Sequence, residues 1–217
     1  MKKLFTIIAL FLLTVSVTIA QDSPYQKAMK KEIAKVIETD SIPELQQSAN
    51  AFARIAEMNG KEWQPLYYQA LAYTFQGLNR SLTLDKKDEA LAKADELAKK
   101  ADAISPNNAE IVTLQGFILM GKVSADPASR GQSLSGTVMN NFGKALKIDP
   151  ENPRAAVLMA QMEFGMAKFF NSGTEKACDL VKKSQVSFAG QNQNALKASL
   201  MPSWGKFLAD KLSKVCQ

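Results

Sequence analysis

The chain has 217 residues and a mildly basic composition, with 27 Lys and Arg against 21 Asp and Glu and no histidine. The lack of histidine excludes Ser-His-Asp and Cys-His catalysis and removes the commonest protein ligands of zinc. The lysines occur in scattered pairs without interleaved arginine and aromatic residues, which indicates solvated helix faces rather than a nucleic-acid-binding surface. We therefore expect a protein that is not an enzyme, that holds no cofactor or metal and that has no nucleic-acid partner.

The N-terminus has the layout of a secretory signal peptide. Two lysines at residues 2–3 precede an apolar stretch at residues 4–17, and the small residue Ala20 marks the expected cleavage point. An uncleaved anchor is the alternative, but the stretch is short for a membrane span, which needs about 20 apolar residues. We expect residues 1–20 to be removed, leaving residues 21–217 as one exported domain, periplasmic or extracellular, without stable membrane insertion.

One segment then occurs three times, at residues 65–77, 109–121 and 153–165, with a spacing of 44 residues. Small residues recur in phase in two columns, which are Ala72, Gly116 and Ala160 and then Gly77, Gly121 and Gly165. Apolar residues between the copies follow the three-and-four spacing of an amphipathic helix. The pattern predicts an all-α chain of helix pairs at about residues 25–59, 63–106, 107–150 and 151–188.

A closing helix is predicted at about residues 202–216. Its apolar face would cover the end of the stack of helix pairs, as terminal repeats must do, and consists of Trp204, Phe207, Leu208 and Leu212. The two cysteines, Cys178 and Cys216, are expected to form a disulfide, because exported proteins meet an oxidising compartment. A redox pair is the alternative, but the Cys-x-x-Cys spacing is absent.

The turn at residues 145–155 and the small and proline columns resemble tetratricopeptide repeats. Ala101 and Ala145 match the family's small position late in the second helix, and Pro106 and Pro150 match its turn proline. The resemblance implies a right-handed solenoid of about four helical hairpins with a C-terminal capping helix. The family period is about 34 residues, so the additional length is expected between the two helices of a hairpin, at residues 78–87 and 122–135, as loops or as extended helix ends.

The resemblance also implies a concave groove lined by the first helix of each hairpin. Transferring the groove positions gives eight candidate partner-binding residues: Gln69, Tyr73, Gln76, Thr113, Phe117, Met120, Gln161 and Phe164. Aromatic, Met and amide side chains would suit an adaptable peptide-binding surface. The alternative is that the aromatic residues of this set pack between neighbouring helices.

Two functional hypotheses follow. The first is a non-catalytic scaffold or adaptor that holds a protein or peptide partner in the groove. The second is a small-molecule or lipid-binding envelope protein with a pocket under the additional residues 123–135, near Asp126 and Arg130.

Overall fold

The computed structural model describes residues 22–216, so the expected signal peptide of residues 1–20 lies outside the described residues. Within residues 22–216 the chain forms helices and no strand. The helices are α1 (Pro24–Glu38), α2 (Ile42–Met58), α3 (Gln64–Leu78), α4 (Leu84–Ile104), α5 (Ala109–Ala125), α6 (Pro127–Ile148), α7 (Pro153–Phe170), α8 (Glu175–Gly190), α9 (Gln193–Ala198) and α10 (Lys206–Ser213). None of the helices in this part of the chain combines the length and hydropathy that crossing a membrane requires.

The first eight helices form four consecutive hairpins. α1 packs on α2, α3 on α4, α5 on α6 and α7 on α8. The first helices of neighbouring hairpins also contact one another, α1 with α3, α3 with α5 and α5 with α7, and each second helix packs on the next first helix. This stacking makes the chain an all-α solenoid, which confirms the predicted fold class.

Local sequence sets where these helices begin. Ser23 and Gln26 form a reciprocal capping box at the start of α1, and the side chains of Asn108 and Asn152 accept backbone N–H bonds at the starts of α5 and α7. Such caps satisfy N–H groups that have no partner within the helix. Pro153 stands in the first turn of α7, where a missing N–H costs nothing.

The additional residues of the 44-residue period lengthen helices rather than loops. The connection from α3 to α4 spans residues 79–83, and Asp126 alone separates α5 from α6. Because the Asp126 side chain accepts from the Ser129 backbone N–H and Pro127 begins the helix, α6 starts at once and runs for 22 residues. The second helices α4 and α6 therefore absorb most of the additional length.

Both columns of small residues include positions of close helix packing. A Cβ atom on Gly77 would lie 2.5 Å from Leu91 Cγ, and one on Gly116 would lie 2.7 Å from Phe142 Cε1. Gly165, in the same column as Gly77, has no such neighbour within 4 Å. The packing explanation thus holds for the second and third hairpins, α3–α4 and α5–α6, and nothing in the structure explains Gly165.

The C-terminal segment differs from the predicted single closing helix. α10 begins at Lys206, and the short helix α9 and the non-helical residues 199–205 precede it. Gly205 turns the chain into α10 with φ of +100°, a conformation that favours glycine. α10 packs on α7 and α8. Of the predicted apolar face, Trp204 is buried ahead of the helix, whereas Phe207 is 81% exposed.

Candidate functional site

The surface shared by α3, α5 and α7, which the tetratricopeptide resemblance assigns to the groove, is covered by Trp204 of the same chain. The indole ring stacks on Phe117 with centroids 5.4 Å apart and meets Phe75 edge-on at 6.3 Å. The indole Nε1–H donates a hydrogen bond of 2.9 Å to the Tyr67 hydroxyl. Trp204 therefore occupies the space beside Phe117, one of the positions where a peptide was expected to bind.

A buried ion pair holds this segment in place. Arg154, 2% exposed, donates from Nε and Nη2 to the two carboxylate oxygens of Glu110, both at 2.7 Å, and from Nη1 to the Trp204 carbonyl at 3.3 Å. The Asn152 amide donates to Glu110 Oε1 at 2.7 Å. Burial by itself lowers the pKa of Arg154, but the charge and hydrogen bonds of Glu110 outweigh burial and raise it. The guanidinium consequently stays charged.

This network was missed from the sequence, although a signal was present. Glu110 and Arg154 stand 44 residues apart, so they occupy the same position in successive copies of the repeat. Opposite charges in one column of a stacked array come close together when the copies stack. Nothing in the sequence indicated that Trp204 would reach the same place.

The predicted groove residues are mostly inside the protein. Tyr73 faces α2 and α4, since its hydroxyl accepts a 3.2 Å bond from Gln46 and its ring lies 5.7 Å from Lys93 Nζ. Gln161 is exposed and Gln69 and Phe164 are half-buried, whereas the others are buried: Tyr73, Gln76, Thr113, Phe117 and Met120. These positions favour the alternative in which Tyr73 and Phe117 pack between elements of the fold.

The segment under which a pocket was predicted, residues 123–135, is helical except at Asp126. Arg130 donates from Nη1 and Nη2 to the two oxygens of Asp88, both at 2.6 Å, and thereby ties α6 to α4. This pairing lowers the pKa of the Asp88 carboxyl. A cleft of about 280 Å³ does lie nearby, lined by Arg80, Lys87 and Ser124 among others, but its wall is largely polar and does not suit a lipid.

A second cleft, of about 380 Å³, lies between α1 and the C-terminal segment. One wall is a stripe of α1 formed by Ile33, Ala34 and Ile37, which follow helical spacing. The other wall is formed by Leu196, Leu200 and Met201. We call this space the terminal cleft, because it brings together the first helix and the last part of the described chain.

The terminal cleft has charged groups at its margins. Lys30 and Glu38 stand at the two ends of the α1 stripe, and Lys197 extends from α9. Lys30 forms an ion pair with Asp22, whereas Lys197 has no ion-pair partner within residues 22–216. No group of three or more His, Cys, Asp and Glu in this described part is placed to hold a metal ion. The cleft thus combines an apolar body with cations on both walls.

The α9 wall is held loosely except at Leu200. No residue of α9 itself is buried. Leu200 follows α9 in the left-handed conformation, with φ of +58°, and is only 4% exposed. The bond from Met201 N–H to the Leu196 carbonyl, at 2.9 Å, closes the helix end in the manner usually served by glycine. A leucine in this conformation is costly, so burial of its side chain must hold it there.

The predicted disulfide is confirmed: Cys178 of α8 and Cys216 are bonded with their Cα atoms 5.5 Å apart. The bond fastens the chain after α10 to the first turn of α8. The C-terminal segment is therefore anchored at two points, by the disulfide at its end and by Trp204 in the middle. Between Phe188 and Trp204, the buried residues are Leu200 and Pro202, and both follow α9.

The class that the fold defines is an all-α solenoid, and a solved structure of similar fold is known. The chain is similar to the HusA haemophore from Porphyromonas gingivalis, with a TM-score of 0.79 and 25% sequence identity over 92% of this chain and 96% of that chain. No protein-family model matches the chain, the tetratricopeptide models included. No curated protein sequence matches it either.

Proposed function

We propose that this protein is an exported, non-catalytic carrier of a small, largely apolar molecule, and that the terminal cleft is its binding site. The observation that carries the proposal is the pair of opposed apolar walls, Ile33 and Ile37 on α1 against Leu196 and Leu200, around a space of about 380 Å³. Small-molecule sites have volumes of about 300–1,000 Å³ and mainly apolar linings. The similarity to HusA, which is described as a haemophore, makes a tetrapyrrole the first ligand to test.

The side chains present are compatible with a tetrapyrrole as cargo. The chain has no histidine and both cysteines are disulfide-bonded, so Tyr and Met are the remaining residues of the types that commonly ligate haem iron. Met201 lies in the cleft wall. Aliphatic side chains on both walls would contact the faces of the macrocycle, and such contact does not depend on iron.

The adaptor hypothesis is less well supported. A peptide on α3 and α5 would have to displace Trp204, which stacks on Phe117 and hydrogen-bonds to Tyr67. The tetratricopeptide-like hairpins would then serve as a frame that sets α1 opposite the C-terminal segment, rather than as a peptide receptor. Export of the mature protein is part of the same proposal and is supported by the disulfide between Cys178 and Cys216.

The test is a titration of the purified mature protein with haem, followed by its visible absorbance. The variant Ala34→Glu places a carboxylate in the apolar wall of the cleft, whereas Ala103→Glu makes the same change at an exposed helix position away from the cleft. We expect binding by the wild type, at least about tenfold weaker binding by Ala34→Glu because the added charge is desolvated by the ligand, and no change for Ala103→Glu. Absence of binding, or equal loss in both variants, would refute the proposal.

A further inference from the structure

We infer that the terminal cleft selects ligands that carry carboxylate groups, and that Lys30 and Lys197 bind those groups from the two walls. The inference rests on the proposed function, since it concerns the same site. It specifies the chemical class of the ligand, which is an apolar molecule with carboxylate groups at its edge. The structure offers three reasons for it.

The first reason is the placement of the cations. Lys30 begins the α1 stripe that continues through Ile33 and Ile37, and Lys197 follows Leu196 on the opposite wall. A ligand that lies against the aliphatic side chains would therefore have one ammonium group near it on each wall of the cleft. Long lysine side chains can cover apolar surface with their methylene groups while the charged end stays at the margin.

The second reason is the state of the two charges. Lys197 has no ion-pair partner in residues 22–216, and Lys30 has only Asp22, whose side chain is 36% exposed. Of the residues lining the cleft, Glu38 is the one acidic group, and it stands two helical turns along α1 from Lys30. A carboxylate entering at the Lys30 end would gain a partner without displacing a buried ion pair.

The third reason is the attachment of α9. None of its residues is buried, so the helix that carries Lys197 is fixed chiefly by the buried residues Leu200 and Pro202, which follow it. A ligand held at once by Lys197 and by α1 would join this wall to the body of the protein. A cation near a helix C-terminus also stabilises the helix without any ligand. The test must therefore compare the affinities for two ligands, and not the stability of the variants.

The experiment uses protoporphyrin IX, which carries two carboxylates and no iron, and its dimethyl ester, which has the same ring with both acids masked. Both are titrated from the same organic stock into the mature wild-type protein and into the variants Lys30→Gln, Lys197→Gln and Lys31→Gln. Lys31 is an exposed neighbour that does not line the cleft, so its variant is the matched control. Circular dichroism and the thermal midpoint establish that each variant is folded.

We expect the wild type to bind the diacid more tightly than the ester, and Lys30→Gln and Lys197→Gln each to weaken diacid binding about two- to tenfold, as for partly exposed charge pairs. Affinity for the ester should not change in any variant. Equal affinity of the wild type for the two ligands, or equal loss in Lys31→Gln, would overturn the carboxylate inference alone. Binding of neither porphyrin would overturn the proposed function and this inference with it.

Discussion

The Glu110–Arg154 pair gives the most demanding prediction, because it is buried among the helices and also holds the C-terminal segment. The change Arg154→Met keeps an unbranched apolar stem in place of the arginine methylene groups and removes the charge and the donors. The Glu110 carboxylate, 6% exposed, then keeps only the Asn152 amide as a hydrogen-bond donor. Removing one member of a buried pair in this way costs about 3–5 kcal/mol of the free energy of unfolding.

For a domain of this size, a loss of 1 kcal/mol lowers the thermal midpoint by about 2–4 °C, so Arg154→Met should lower it by roughly 6–20 °C. The matched control is Arg130→Met. Arg130 makes the same two-point contact with Asp88, but these side chains are 25% and 38% exposed. Exposed pairs contribute up to about 1 kcal/mol, so this control should lose far less stability.

A second control separates charge from packing. In the double variant Glu110→Gln with Arg154→Met, an amide replaces the isolated carboxylate and its oxygen can still accept from Asn152. We expect the double variant to be more stable than Arg154→Met alone, because the uncompensated buried charge is gone. Urea unfolding measures all of these proteins. Equal losses for the two arginine variants, or a double variant at least as unstable as the sum of its single changes, would refute the reasoning.

Three further predictions concern the disulfide, the glycine columns and alkaline pH. Cys216→Ser opens the 38-residue loop closed on Cys178 and should lose about 4 kcal/mol, and a reductant should then shift the urea midpoint of the wild type but not of the variant. Gly77→Ala should lower the free energy of unfolding by about 1–3 kcal/mol through overpacking. Gly165→Ala has no neighbour within 4 Å and should raise it by about 0.5–1 kcal/mol. Effects of the same sign would contradict the explanation of the glycine columns by close packing. Burial, aided by the charge of Glu62, raises the pKa of Tyr25 to about 12. The free energy of unfolding should therefore fall as pH rises from about 10 to 12, because the unfolded chain loses the Tyr25 proton first. Tyr25→Phe should make this fall smaller in a series of urea midpoints measured against pH.

The repeat pattern predicted the hairpins because the positions that define it are positions of contact. Gly77 and Gly121 recur in phase because a Cβ atom at either position would lie within 3 Å of the Leu91 side chain, at 2.5 Å and 2.9 Å. The disulfide was predictable for a different reason, since an exported chain with two cysteines has one intramolecular choice. In both cases a local or compositional signal is tied directly to a contact in the fold.

The location of Trp204 could not be predicted in this way. Residues 202–216 have the spacing of one amphipathic helix, and that pattern alone places Trp204 and Phe207 on the same face. In the structure the chain turns at Gly205, and Trp204 meets Tyr67, which lies 137 positions earlier. Such a long-range hydrogen bond and the ring stacking on Phe117 override the local pattern, and they are invisible in the spacing.

The terminal cleft was missed for a related reason, and the reason bears on its role. The α1 wall is an ordinary amphipathic stripe, and the second wall is a short apolar stripe that begins in α9 and continues past its end; each would be expected to bury its apolar face against a neighbour. Ile37 of α1 is 36% exposed, and α9 opposite it has no buried residue, so neither stripe is fully covered within residues 22–216. Trp204 and the disulfide hold the C-terminal segment close enough to form a second wall without letting it close on α1. A ligand that fills this space would complete the burial that the two stripes lack, which is a source of affinity that a fully packed pair of helices could not offer.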